Sequence, residues 1–148
     1  MRFFLIDKIT DWHVGTNAKA IKNVALSEDF FDDHFPRRPV MPGVLIIEGI
    51  AQLSGLLLEA GLKEKHGENA KAIMTVKRTK FREVARPGDT LTYCVEVTAM
   101  NKSGGKTTAR ALCNGRTVAT TGMVFAFKYV DDTMLEAKRD ALMKVWLP

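Results

Sequence analysis

Apolar positions in this chain form two short runs, one long block and four further runs with an alternating component. Phe3 to Ile9 and Ala18 to Ala25 predict two strands, with a turn at Gly15-Thr16-Asn17 between them. Ser27 to Asp33 is acidic and turn-like. The next stretch, His34 to Gly43, contains Pro36, Pro39 and Pro42, which exclude helix and stiffen the loop. Gly43 to Ala60, GVLIIEGIAQLSGLLLEA, predicts a helix with Pro42 just ahead of it and Gly61 as its stop. It is apolar nearly all round, so it should be buried on most sides. Gly49, Ala51 and Gly55 are small enough to let a sheet come close. Past a polar loop, Lys63 to Asn69, strands are predicted over Ala72 to Arg82, Thr90 to Met100, Lys106 to Cys113 and Thr117 to Val130. Pro87-Gly88-Asp89, Ser103-Gly104-Gly105 and Asn114-Gly115 supply the turns. Asp131 to Trp146 returns to helical composition, with Leu135, Leu142 and Trp146 on one side, available to dock on the sheet or a neighbouring subunit.

Two strands, one buried helix and four more strands fit an α+β architecture in which a long antiparallel sheet wraps a central helix, the hotdog fold. The 148 residues suit one domain, read as residues 1–130, with a C-terminal helical extension over 131–148. At 46% apolar residues the chain can build a sizeable core. Cys94 and Cys113 are too few for a disulfide scaffold and lack the CxxC spacing of a zinc site. His13, His34 and His66 show neither HxH nor HExxH spacing, so no metal is expected. No signal-peptide core follows Met1, and Val44 to Leu58 is interrupted by Glu48 and Gln52 and short for a bilayer. The expectation is a soluble cytoplasmic protein with no membrane insertion.

Charge is uneven. Residues 1–61 hold 6 basic and 8 acidic side chains, and residues 62–148 hold 16 and 9, giving −2 and +7 within a total of +5. This suits an acidic partner, or a basic surface that only maintains solubility. The basic residues lack the aromatic interleaving of a base-stacking platform, so nucleic acid is not expected.

Glu48 stands out in the second turn of the predicted buried helix. An ionised carboxylate is costly to bury, and a carboxyl that keeps its proton is what a general acid requires. The alternative is a glutamate on the one exposed stripe of that helix. His34 heads the proline loop leading into the same helix, and a neutral imidazole suits proton abstraction at physiological pH. The free N–H groups near Gly43 offer a place for a developing oxyanion. Base, acid and oxyanion site together would support α-proton removal from a thioester with loss of a β-hydroxyl.

The segment HFPRRPVMPGVLIIEGIAQ resembles the signature of the (3R)-hydroxyacyl-[acyl-carrier-protein] dehydratases of bacterial type II fatty-acid synthesis. The similarity runs from about Phe3 to Val130 and takes in FLIDKI, AIKNVALSEDFFDDHFP and KFREVARPGDTL. It implies a cofactor-free and metal-free enzyme that forms hotdog homodimers, often trimers of dimers. By resemblance His34 is the base that removes the C2 proton and Glu48 the acid that protonates the departing hydroxyl, from opposite subunits. Gly43 N–H would meet the thioester carbonyl, and the Val40 carbonyl would orient the imidazole. Gln52 matches a family glutamine behind the acid, or is simply a polar side chain satisfied by backbone. A related branch that also isomerises carries Asp at the acid position and Trp three residues later. Glu48 and Ala51 stand at those positions, which favours dehydration alone.

The chain departs from the family pattern at Arg37 and Arg38, at Val84 and Arg86, and in residues 131–148. The substrate is expected to arrive on an acidic acyl carrier protein, with Arg37, Arg38, Arg78, Lys80, Arg82 and Arg86 as the docking candidates. Two other functions fit less of the sequence: a hotdog acyl thioesterase, and a non-catalytic paralogue that holds an acyl chain or its carrier.

Overall fold

The computed structural model describes residues 3–129 and 132–148. The boundary expected between residues 130 and 131 therefore lies outside the described residues. Six strands form one antiparallel sheet: β1 (Lys8–His13), β2 (Asn17–Asn23), β3 (Ala70–Phe81), β4 (Thr90–Asn101), β5 (Gly104–Cys113) and β6 (Arg116–Tyr129). Their order across the sheet is β1-β2-β4-β5-β6-β3. Helix α1 (Gly43–His66) packs against the sheet, and α2 (Thr133–Trp146) follows the last strand. This is the α+β hotdog arrangement.

The core sits between α1 and the sheet. Ile46, Ile50, Leu53, Leu57 and Leu58 of the helix meet Leu91, Tyr93 and Val95 of β4 and Val118, Met123 and Phe125 of β6. The alternation along β4 places Leu91, Tyr93 and Val95 inward, as the period of two requires. At Gly49 a Cβ would fall 2.5 Å from Tyr93 Oη and 2.7 Å from its ring, so only glycine lets the ring pack against the helix. Gly55 is less constrained: its Cβ would find Ala72 at an ordinary 3.8 Å.

Several boundaries differ from the sequence expectation. Helix α1 passes through Gly61 and ends at Gly67, which caps it in the left-handed region at φ 65°. Gly61 serves packing instead, since a Cβ there would lie 2.8 Å from Gly15 Cα in the β1–β2 turn. Lys63, Lys65 and His66, expected in a loop, form the last turn, where cations favour the helix dipole. At this length α1 could cross a bilayer by composition, but 61% of its apolar window is buried inside the fold, which makes it the core helix. Strand β1 begins at Lys8 rather than Phe3, because Phe3 to Leu5 bond to the side chain of Gln52 on α1.

The β4–β5 turn is Lys102-Ser103, and Gly104 and Gly105 belong to β5. A Cβ at Gly104 would run into the Phe125 carbonyl, and one at Gly105 into Leu58. The expected Asn114-Gly115 turn is present, with both residues at positive φ, 51° and 76°. Helix α2 is capped by Asp132, whose carboxylate accepts from Met134 N and Leu135 N. Trp146 is buried edge-on to Phe4, with ring centroids 5.9 Å apart, and Leu142 packs on the core. Leu135 remains 50% exposed.

Candidate active site

The proline loop is cinched at its base. Phe31 is buried in the short 3-10 turn Asp29–Asp32 that precedes it, and His34 N donates to Phe30 O. Val40 N then donates to His34 O at 3.0 Å, and Met41 N to Ala85 O at 2.8 Å. Inside this closed loop His34 Nδ1 lies 2.7 Å from Val40 O. A carbonyl can only accept, so this bond requires the proton on Nδ1 and puts the lone pair of the neutral ring on Nε2. The Phe35 ring stacks on the imidazole at 4.3 Å and 24°. One hydrogen bond to a backbone carbonyl and one stacked ring thus fix the ring plane and the tautomer of a half-buried histidine.

Glu48 is half-buried, between the two environments its sequence position allowed. It opens into a groove of about 400 Å³ bounded by α1, the start of β3 and one face of α2. Gln52, one turn on, accepts from Leu5 N at 3.1 Å through Oε1. That bond fixes the amide orientation and turns Nε2 toward Phe3 O at 2.9 Å and Glu48 Oε1 at 3.4 Å. Gln52 is therefore satisfied mainly by backbone and makes one long contact with the carboxylate. No hydrogen bond joins His34 to Glu48 among the described residues, and His34 does not line the groove.

Gly43 opens α1, and its N–H has no partner among the described residues, as expected for a first-turn amide. A Cβ at Gly43 would sit 2.7 Å from the Phe81 ring, so glycine allows the end of β3 to close over the helix start. The candidate docking residues Arg37, Arg38, Arg78, Lys80 and Arg82 are exposed; Arg86 is half-buried in the turn that Asp89 closes by accepting from Arg86 N. Among the described residues no three His, Cys, Asp or Glu side chains gather into a metal-binding group.

Sequence reasoning missed one pair. Glu59, on the same stripe of α1 as Glu48 and Gln52, is buried and bonds Arg139 of α2 at 2.6 Å. The spacing 48, 52, 59 marks that polar stripe in the sequence, but nothing there identifies the partner.

A FabA-like domain model matches residues 1–122. A FabZ dehydratase of Chlamydia caviae is 39% identical over 135 residues, covering 90% of this chain and 86% of its own. One from Halalkalibacterium halodurans is 41% identical over 126 residues, covering 85% and 89%. Among solved structures, smu.793 from Streptococcus mutans bound to acetyl CoA superposes with a TM-score of 0.67 at 12% identity, covering 89% and 96%. A hot-dog-like protein from Thermanaerovibrio acidaminovorans gives 0.63 at 20%, covering 88% and 92%. The two structures share the fold; the family follows from the sequence matches, which run through the histidine loop and the glutamate helix together, and the chain belongs to the 3-hydroxyacyl-[acyl-carrier-protein] dehydratases of the FabA-like family.

Proposed function

We propose that the protein converts a carrier-bound (3R)-3-hydroxyacyl thioester to the trans-2-enoyl thioester in fatty-acid or related lipid biosynthesis, without a cofactor and without isomerisation. The observation that carries the reading is the His34–Val40 contact, which leaves Nε2 as the basic atom of a fixed ring. Nε2 takes the C2 proton. The C–H electron pair moves toward the thioester carbonyl, whose growing negative charge the Gly43 N–H meets. The electrons return to form the C2–C3 double bond as the C3–O bond breaks, and Glu48 gives its proton to the departing hydroxyl, which leaves as water. Gln52, held by Leu5 and Phe3, keeps one long contact with the Glu48 carboxylate.

The two side chains act across a homodimer, which in this family is often one of three in a trimer of dimers. The absence of His34 from the groove that Glu48 opens into supports the shared site. So does the free edge of β3, where Ile73, Val76 and Phe81 are exposed, as suits a strand that pairs with a second copy. The acyl carrier protein docks on the basic residues at Arg37, Arg38, Arg78, Lys80, Arg82 and Arg86. The reaction takes place in the cytoplasm.

The test is hydration of a crotonyl thioester, the reverse reaction, followed by loss of its ultraviolet absorbance. Turnover that disappears in His34→Ala supports the reading. Release of free thiol with no hydration would replace it with thioester hydrolysis, and no turnover of any acyl thioester would leave only binding.

A further inference from the structure

The groove extends well beyond Glu48. Its floor is the α1 stripe from Glu48 through Ala51 and Leu56 to Glu59, and Met74 and Phe125 form one wall. Its roof is α2, a helix that follows the last residue matched by the family model, residue 122. Leu142 and Trp146 close the roof with apolar surface. From Glu48 to Glu59 is eleven residues, about 16 Å along a helix axis. At that depth the lining becomes ionic. Arg139 Nη1 donates to Glu59 Oε2 at 2.6 Å and to Ala70 O at 3.3 Å, and Glu59 Oε1 accepts from Ala72 N at 2.9 Å. One ion pair thus ties α2, α1 and the edge of β3 together across the groove. Glu59 is 8% exposed, so both of its oxygens are held by the protein and little by water.

An apolar channel that starts at a carboxyl and stops at a buried ion pair suits an acyl chain of limited length. A methyl end can pack on Ala51, Leu56 and Leu142, but pushing further would separate a buried pair and leave its charges uncompensated. We infer that α2 roofs the acyl groove and that the Glu59–Arg139 pair is its end wall, so that this chain's own C-terminal helix sets the longest acyl group accepted, one of medium length. The inference rests on the dehydratase reading and adds the residues that measure the chain.

The experiment is hydration of enoyl pantetheine thioesters of increasing length, starting at four carbons, by the full chain and two variants. Glu59→Gln combined with Arg139→Ala removes both charges of the wall and leaves no unpaired buried ion. It should raise kcat/KM for the longest substrate relative to the four-carbon one by about tenfold or more, the selectivity one methylene carries in an apolar pocket. Leu142→Trp fills the roof and should shift the same ratio in the opposite direction, which lost stability alone does not produce. Folded variants with the wild-type length profile would overturn the end wall. If that double variant does not fold, the Leu142→Trp profile decides. Failure of the wild-type protein to hydrate even the four-carbon thioester would overturn the dehydratase reading instead, so the two failures are told apart by the shortest substrate.

Discussion

Tyr93→Phe should make the protein more stable. Tyr93 is completely buried, and its hydroxyl has no hydrogen-bond partner among the described residues. A buried hydroxyl left unpaired costs about 1–3 kcal/mol of desolvation, so removing it should return about 1 kcal/mol or more. For a chain of this size that raises Tm by about 2–4 °C. The effect should grow in alkali. Burial first, and the nearby charge of Asp7 second, push the Tyr93 hydroxyl well above its ordinary value of 10.0. The folded state therefore holds the proton that the unfolded chain releases near pH 10. Below pH 10 the tyrosine brings no alkaline penalty. Above it the wild-type protein loses up to about 1.4 kcal/mol per pH unit relative to the phenylalanine variant, until the folded hydroxyl itself ionises. Urea denaturation of both proteins at pH 7 and pH 11 measures the gap directly. Burial also raises the Cys113 thiol, but that thiol is present in both proteins and cancels. A variant less stable than wild type at pH 7 would mean that the hydroxyl has a partner, such as a trapped water. A gap no larger at pH 11 than at pH 7 would mean that the hydroxyl ionises as readily folded as unfolded. Either result refutes the reasoning.

Gly49→Ala should destabilise by about 1–3 kcal/mol in the same assay, because the new methyl meets the Tyr93 ring at 2.7 Å and the ring has no open side. His34→Ala and Glu48→Gln should each lower turnover by about a hundred- to ten-thousand-fold, measured as crotonyl thioester hydration, with unchanged circular dichroism. Mixing those two inactive proteins under conditions of subunit exchange should recover activity, since some sites then receive both intact residues; no recovery would count against the shared site. With a carrier-bound substrate kcat/KM should fall as salt is raised and fall further with Arg82→Glu, whereas a pantetheine substrate should show neither effect.

The sequence made the central helix, the Asn114-Gly115 hairpin and the two candidate side chains, His34 and Glu48, stand out for local reasons. Proline density, an apolar block and one out-of-place glutamate are each visible within a few residues. What it concealed depended on distant neighbours. Gly61 looked like a stop, but it is the point where the Gly15 turn touches the helix. Gly104 and Gly105 looked like turn residues, but they are strand residues pressed against Phe125 and Leu58. Phe3 to Leu5 has the composition of a strand yet finds its polar partner in one side chain of α1. The fixed imidazole of His34 was expected only through the family resemblance, because its partner Val40 is six residues away and the closure between them depends on the loop's shape. The groove's ionic bridge spans eighty residues of sequence, and neither Glu59 nor Arg139 carries a local mark of the other.

The position of α2 after the last strand of the sheet also has a meaning in time. A ribosome releases the strands and α1 before residues 133–146, so the sheet and its central helix can pack while the groove still stands open. Trp146 can reach Phe4 only after the sheet strands and α1 that lie between them in the chain have emerged. An earlier and a later part of the polypeptide thus meet over the same stripe of α1, and during synthesis the pocket acquires its roof only after its floor and wall have been made.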